Sequence, residues 1–143
     1  EIWHAGDIGP IELIDLLKKN VKVNAVYGNI DGKKIRSSYN EYLSFFCEKI
    51  SILLIHIAGK PLYYNKKTNE LIKKHKPKIL VSGHSHILKV VNDKKNNLLY
   101  INPGAAGKFG FHKKRTMIKI EVINNELKKL EVIELNKYKK KLP

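Results

Sequence analysis

Arginine is nearly missing from this chain: of its 28 basic residues 26 are lysine, and only Arg36 and Arg115 carry a guanidinium. With 13 acidic residues the formal net charge is +15, which by itself invites a nucleic-acid reading. Groove and phosphate readers lean on arginine's planar fork for bidentate contacts, so this basic balance argues against nucleic acid as the partner. Isoleucine and asparagine are abundant as well, at 18 and 13 residues. Lysine, asparagine and isoleucine share A/T-rich codons, and genomic base bias accounts for all three together. The positive field would still draw in anionic substrates. Cysteine is down to one, Cys47, in the apolar run Phe45-Phe46-Cys47. It cannot pair within the chain, reads as a buried inert thiol, and fits a reducing, cytoplasmic setting. Long apolar runs are missing too: no stretch approaches the length of a membrane span, and no signal peptide opens the chain.

At 143 residues the chain reads as one domain over 1–143, able to bury a core without disulfides or structural zinc. It begins at Glu1 rather than methionine, and Ile2-Trp3-His4-Ala5 already reads as the end of a buried strand, so an N-terminal truncation is expected. The first half alternates strand and helix. A strand ends at Ala5, Pro10 suits a helix start, and Ile11 to Lys19 has a helical rhythm. Val21 to Tyr27 is a second strand; this β-α-β order predicts a parallel pair with ligands bound beyond the carboxyl ends. Tyr42 to Cys47 and Ser51 to His56 read as a hairpin across Glu48-Lys49. Asn69 to His75 is a helix halted before Pro77. Ile79 to Ser82 is a strand, and Ile87 to Val91, Leu98 to Ile101, Thr116 to Ile123 and Leu127 to Leu135 are further strands joined by Asn-rich turns. Two sheets flanked by a few helices result. The lysine-rich tail from Asn136 to Pro143 reads as solvated.

The chemistry sits at the strand ends. Gly83-His84-Ser85-His86 follows a short apolar strand, and two imidazoles two residues apart there can both be aimed into a cleft. Imidazole is the commonest side-chain ligand for catalytic transition metals. Asp7 follows Ala5-Gly6, where the glycine allows close approach of backbone to an ion; a helix cap is an equal reading. Asn29 stands in Gly28-Asn29-Ile30-Asp31-Gly32, which is a plain turn or a neutral amide ligand beside Asp31. His56 ends the aliphatic run Ile52-Leu53-Leu54-Ile55, as a satisfied core histidine or a third imidazole. Asn102-Pro103-Gly104 keeps the backbone low beside a cleft, or is simply a turn. His4 reads as core or as support for a ligand, His75 as surface, and His112 belongs to no strand-end motif.

Taken together, Gly6-Asp7, Gly28-Asn29-x-Asp31, the strand ending in His56, Gly83-His84-Ser85-His86 and Asn102-Pro103-Gly104 resemble the calcineurin-like metallophosphoesterases, in their small bacterial and archaeal phosphodiesterase branch. The motifs run in the family's order over nearly the whole chain. The resemblance implies an α/β fold, a four-layered α/β/β/α sandwich of the metallo-dependent phosphatase type, here lacking its first strand. It implies that Asp7 bridges two divalent ions (Mn, Fe, Ni or Zn), that Asn29, His56 and His84 complete one shell, and that His86 serves the other. Two features depart from the family. Its opening Asp-x-His motif, which supplies two more ligands, is not in this sequence. Nuclease-like members carry a proton-donating histidine after the asparagine, where this chain has Ile30.

The expected activity is hydrolysis of a small phosphodiester or phosphomonoester. Two cations lower the pKa of a bridging water to give hydroxide near neutral pH, and they offset charge on the phosphoryl oxygens. The rival expectation is a catalytically impaired scaffold of the same fold that binds proteins. The family's first strand is expected to lie between the strands ending at Asp7 and Gly28. Without it, an open edge would favour homo-oligomers.

Overall fold

The computed structural model describes residues 1–135; the tail expected to be solvated, 136–143, lies outside the described residues. Strand β1 (Ile2–His4) runs through helix α1 (Ile11–Lys18) into β2 (Val23–Ala25), and the two strands pair in parallel with Ile2 opposite Val23 and His4 opposite Ala25. The strand expected from the sequence over Val21 to Tyr27 is therefore shorter. Its first residue belongs to the helix end instead, the Val21 amide donating to the Leu17 carbonyl. Direct pairing of β1 with β2 also corrects the expectation that another strand lies between them. Pro10 caps α1 in extended conformation rather than forming its first turn.

A short helix that the sequence reading missed, α2 (Lys33–Ser38), follows. Hairpin strands β3 (Tyr42–Cys47) and β4 (Ile50–Ile55) come next, as expected. A small ribbon, β5 (Gly59–Lys60) with β6 (Tyr63–Tyr64), was also not foreseen and leads into α3 (Lys66–His75). This helix starts three residues earlier than its apolar pattern indicates, because Asn65 caps it: its side chain accepts from the Thr68 amide at 2.8 Å. Five strands remain, the first four being β7 (Ile79–Ser82), β8 (Leu88–Asp93), β9 (Leu98–Pro103) and β10 (Thr116–Ile123). The last, β11 (Glu126–Glu134), returns against β10 through Asn124-Asn125, both at positive φ as a tight hairpin requires.

Five strands form the main sheet in the order β3-β4-β7-β9-β8, with β4, β7 and β9 parallel. Strands β4 and β7 are apolar without alternation because both their faces are covered. Ile52, Leu54, Ile79 and Val81 meet Trp3, Ala5 and the inner face of the β10–β11 hairpin. Leu53, Ile55 and Leu80 meet Leu71 and Ile72 of α3. On the outer side of β2, Ile14 of α1 and Ile35 of α2 pack on Ala25. The order is helix, strand pairs, five-stranded sheet, helix: the four layers expected. The second β layer is two separate two-stranded sheets rather than one. Each fully buried leucine or isoleucine in this stack contributes roughly 1.5–3 kcal/mol. Cys47 is half-buried at the rim of the inter-sheet core, and burial raises its thiol pKa. Among the described residues no helix is long and apolar enough to cross a membrane.

Two histidines depart from or sharpen their expected places. His75 is partly buried against the Tyr42 ring (centroids 6.0 Å apart) rather than at the surface. His4, on β1, has a buried Nδ1 without a hydrogen-bond partner in the structure. Burial pushes its pKa below the ordinary histidine value, against an opposing pull from Asp31. The folded state thus binds fewer protons than the unfolded chain below about pH 6.5, the unfolded value, so stability is full above that pH and falls as pH drops through the gap. Urea melts at about pH 7.5 and about pH 5 should show a smaller loss for His4→Phe than for the wild type. Parallel losses would contradict this account of His4.

Candidate metal centre

Four of the five ligand candidates meet beyond the carboxyl ends of β1, β2, β4 and β7. The Nε2 of His56 lies 2.9 Å from Asn29 Oδ1 and 3.3 Å from Asp7 Oδ1, and His84 Nδ1 lies 2.9 Å from the same Asn29 oxygen. Each arrives from a separate strand end, so the fold, not a local run of sequence, makes the cluster. His56 is buried, whereas Asn29 and His84 face solvent.

The tautomer of His56 is set by its other nitrogen. Nδ1 sits 2.6 Å from the Ala5 carbonyl oxygen, which can only accept, so Nδ1–H donates and, in the neutral ring, Nε2 presents a lone pair. This is the arrangement by which a backbone carbonyl orients a metal-ligating imidazole. Gly6 makes it sterically feasible. At φ +91°, a Cβ there would stand 2.5 Å from His56 Nδ1. The glycine before Asp7 therefore makes room for the imidazole, not for backbone approach to an ion. With Nδ1 committed, a neutral His56 turns its Nε2 lone pair toward Asn29 Oδ1 and Asp7 Oδ1, the latter also accepting from the Ile30 amide at 3.2 Å. A proton on Nε2 or a divalent cation would satisfy them, and the oxygen–nitrogen donor set without thiolate suits Mn, Fe, Ni or Zn. Counting only His, Cys, Asp and Glu, no group of three is arranged as a cation site among the described residues. The Asn29 amide is what joins this cluster together.

Three of the five candidates share an uncommon backbone conformation. Asp7 (φ 55°), His84 (φ 67°) and His86 (φ 57°) are all left-handed, a region that few residues without glycine's freedom adopt. Such outliers persist where surrounding contacts hold them. For the histidine turn the holder is Asn102, buried at the end of β9. Its Nδ2 donates to the Gly83 carbonyl at 2.7 Å and to Ser85 Oγ at 3.1 Å, and its Oδ1 accepts from the Gly104 amide at 3.0 Å.

Asp31, left undecided from sequence, ties two ligand loops together. It accepts from the Gly28 amide at 2.7 Å and from the Gly9 amide at 3.2 Å. Arg36, on the helix that sequence reading missed, holds the Asn29 loop from the other side. Its guanidinium donates to the carbonyls of Asp31 (2.7 Å), Gly28 (3.1 Å) and Asn29 (2.8 Å) and lies over the Tyr27 ring. The one signal available in the sequence was that arginine is so rare here. A lysine has no fork to span three carbonyls. Arg36→Lys should therefore weaken Mn²⁺ binding roughly 10–100-fold in calorimetric titration, the usual cost of losing support around a ligand. Unchanged affinity would contradict a role in positioning Asn29.

His86 does not join the cluster. The closely spaced pair was expected to aim both imidazoles into one cleft; in left-handed backbone, His84 bonds to Asn29 and His86 bonds elsewhere. His86 Nδ1 meets His112 Nδ1 at 3.3 Å, and among the described residues no hydrogen bond links it to Asp7, Asn29, His56 or His84. His112 was assigned no motif in the sequence, and nothing in the spacing of two residues 26 apart reveals the contact. A hollow of about 210 Å³ opens beside Asn29 and His56, lined also by Tyr27, Arg36, Glu41 and Ile57. It is smaller than the roughly 300–1,000 Å³ of ordinary small-molecule pockets.

The model of the calcineurin-like phosphoesterase superfamily domain matches residues 1–125. No curated protein matches the chain in sequence. Among solved structures, the chain is similar to an archaeal phosphodiesterase at 20% identity and TM-score 0.72, covering 94% of this chain and 83% of that one. It is similar to a predicted phosphoesterase of Streptococcus pneumoniae TIGR4 at 19% identity and TM-score 0.68, covering 92% and 72%. A third is wild-type Vps29 of Entamoeba histolytica complexed with zinc, at 17% identity and TM-score 0.66, covering 95% and 83%. At these identities the likeness shows the fold alone.

Proposed function

Since the chain belongs to the calcineurin-like phosphoesterase superfamily, we propose that it hydrolyses a small phosphodiester at the Asp7–Asn29–His56–His84 cluster with the help of divalent metal. One observation carries this reading. The Ala5 carbonyl fixes His56 so that its Nε2 lone pair faces the Asn29 and Asp7 oxygens, a donor set made for a cation. Divalent ions supply a lowered pKa for water and positive charge against the phosphoryl oxygens. Asp7 offers the only carboxylate of the four, His56 and His84 offer neutral nitrogens, and Asn29 adds an oxygen without adding charge. Asp31 and Arg36 hold the Asn29 loop still, as preorganisation requires. Ile30, exposed beside Asn29, has no proton to give to a leaving group. Esters whose leaving group departs without help, such as aryl phosphodiesters, are accordingly the substrates we expect to be turned over best.

One observation favours a second reading, a scaffold of this fold that binds proteins: His86 is engaged with His112 and not with the cluster. A single assay separates the two. After chelation, the protein is assayed on an aryl phosphodiester with Mn²⁺, Ni²⁺ or Zn²⁺ restored. Hydrolysis that depends on added metal supports the first reading; none with any of the three overturns it.

A further inference from the structure

We propose that His86 and His112 form a second cation site, taking a divalent ion such as Zn²⁺ through their two Nδ1 atoms, with the loop between β9 and β10 supplying the new ligand. The inference rests on the metal-dependent reading above. It concerns a residue, His112, that no motif or resemblance points to.

Three observations converge on it. First, His112 Nε2 lies 3.0 Å from the Gly107 carbonyl, so Nε2–H donates there and Nδ1 carries the lone pair. This repeats, on the other side of the histidine turn, the carbonyl-fixed imidazole seen at His56. Second, that Nδ1 faces His86 Nδ1 at 3.3 Å, the rings being steeply inclined at 73° rather than stacked. Two nitrogens bound to one tetrahedral ion at about 2.0–2.1 Å stand roughly 3.3–3.4 Å apart. Third, Gly110 leaves room for the two rings to meet, as Gly6 does for His56. A Cβ on that residue, at φ +140°, would stand 2.3 Å from His86 Nδ1 and 2.9 Å from His112 Nδ1. Any other residue would press on the His86 ring and part it from His112. Lys108, Lys113 and Lys114 flank the loop, but all are exposed, so solvent screens most of their repulsion. Two imidazoles leave the remaining coordination positions to water, which suits a site of moderate affinity.

The test is a Zn²⁺ titration of the full chain, followed by calorimetry, elemental analysis and histidine 15N spectra. The wild type should take two ions, with the Nδ1 resonances of His86 and His112 moving together while His112 Nε2 keeps its proton. His112→Ala and His86→Ala should lose the same ion or weaken it roughly 10–100-fold or more. His56→Ala should lose the other ion and keep this one. Unmoved Nδ1 resonances in the wild type, which need no variant and so no assumption about folding, overturn the proposal. So does His112→Ala with unchanged stoichiometry and affinity. If His56→Ala alone loses an ion, the site at His112 fails while the proposed function stands. If no Zn²⁺ binds at all, both fail.

Discussion

Replacing His56 by alanine should lower kcat/KM for a phosphodiester by at least about 100-fold, equivalent to about 2.7 kcal/mol of transition-state stabilisation. The same variant should lose the rise in melting temperature that Mn²⁺ or Zn²⁺ gives the wild type. The reason is geometric. His56 is the one imidazole of the cluster that is buried, and it is the one whose free nitrogen faces both the amide and the carboxylate oxygen. Losing it leaves Asn29 and His84 facing solvent with nothing to close the shell behind them. An ion held at a hundred times its dissociation constant stabilises the folded state by about 2.7 kcal/mol, so the thermal readout is large and independent of turnover. Ala5 would also lose a hydrogen-bond donor, a cost of about 1–3 kcal/mol that appears equally with and without metal. Activity within about threefold of the wild type, or an undiminished thermal response to metal, would contradict the assignment of His56 as a ligand.

Asn102→Ala should be the most destabilising polar substitution in the site, by about 2–4 kcal/mol. It strips partners from the part-buried Gly83 carbonyl and Gly104 amide, at about 1–3 kcal/mol for each group left unmade. At roughly 2–4 °C per kcal/mol for a chain somewhat longer than this one, the melting temperature should fall by roughly 5–15 °C. Asn102→Asp is the sharper control. It keeps shape and the acceptor for Gly104, but sets a carboxylate oxygen against the Gly83 carbonyl, so it should be at least as damaging as alanine. If Asn102 merely filled space, aspartate would be tolerated. Both variants should also loosen the turn that holds His84 and His86 in left-handed backbone, and so weaken metal binding. A stable Asn102→Asp protein with normal metal affinity would contradict this.

What the sequence disclosed and what it withheld follow from the range of the interactions concerned. Strands β4 and β7 were legible because a strand buried on both faces is written as an unbroken aliphatic run. Asp7, Asn29, His56 and His84 were legible together because each ends or follows such a run; within each parallel sheet those ends share one edge, and the cluster forms where the edges of the two sheets meet. Arg36 was not, since α2 is only six residues long and carries no apolar periodicity. The divergence of His84 from His86 was hidden as well. Spacing by two residues aims side chains one way in an extended strand, but both histidines lie past the end of β7 in left-handed backbone. The His86–His112 contact depends on a glycine-rich loop folding back over the sheet end, with no local rule to announce it. Likewise the ribbon β5–β6 has two residues per strand, too few for any alternation to show.

Whether Asp7, Asn29, His56 and His84 hold a divalent cation is decided by anomalous diffraction from crystals soaked in Mn²⁺. An anomalous peak is expected about 2.0–2.4 Å from His56 Nε2, His84 Nδ1, Asn29 Oδ1 and an Asp7 carboxylate oxygen, with His56 Nδ1 still donating to Ala5. No peak at that point, or one coordinated through His56 Nδ1 instead, would contradict it.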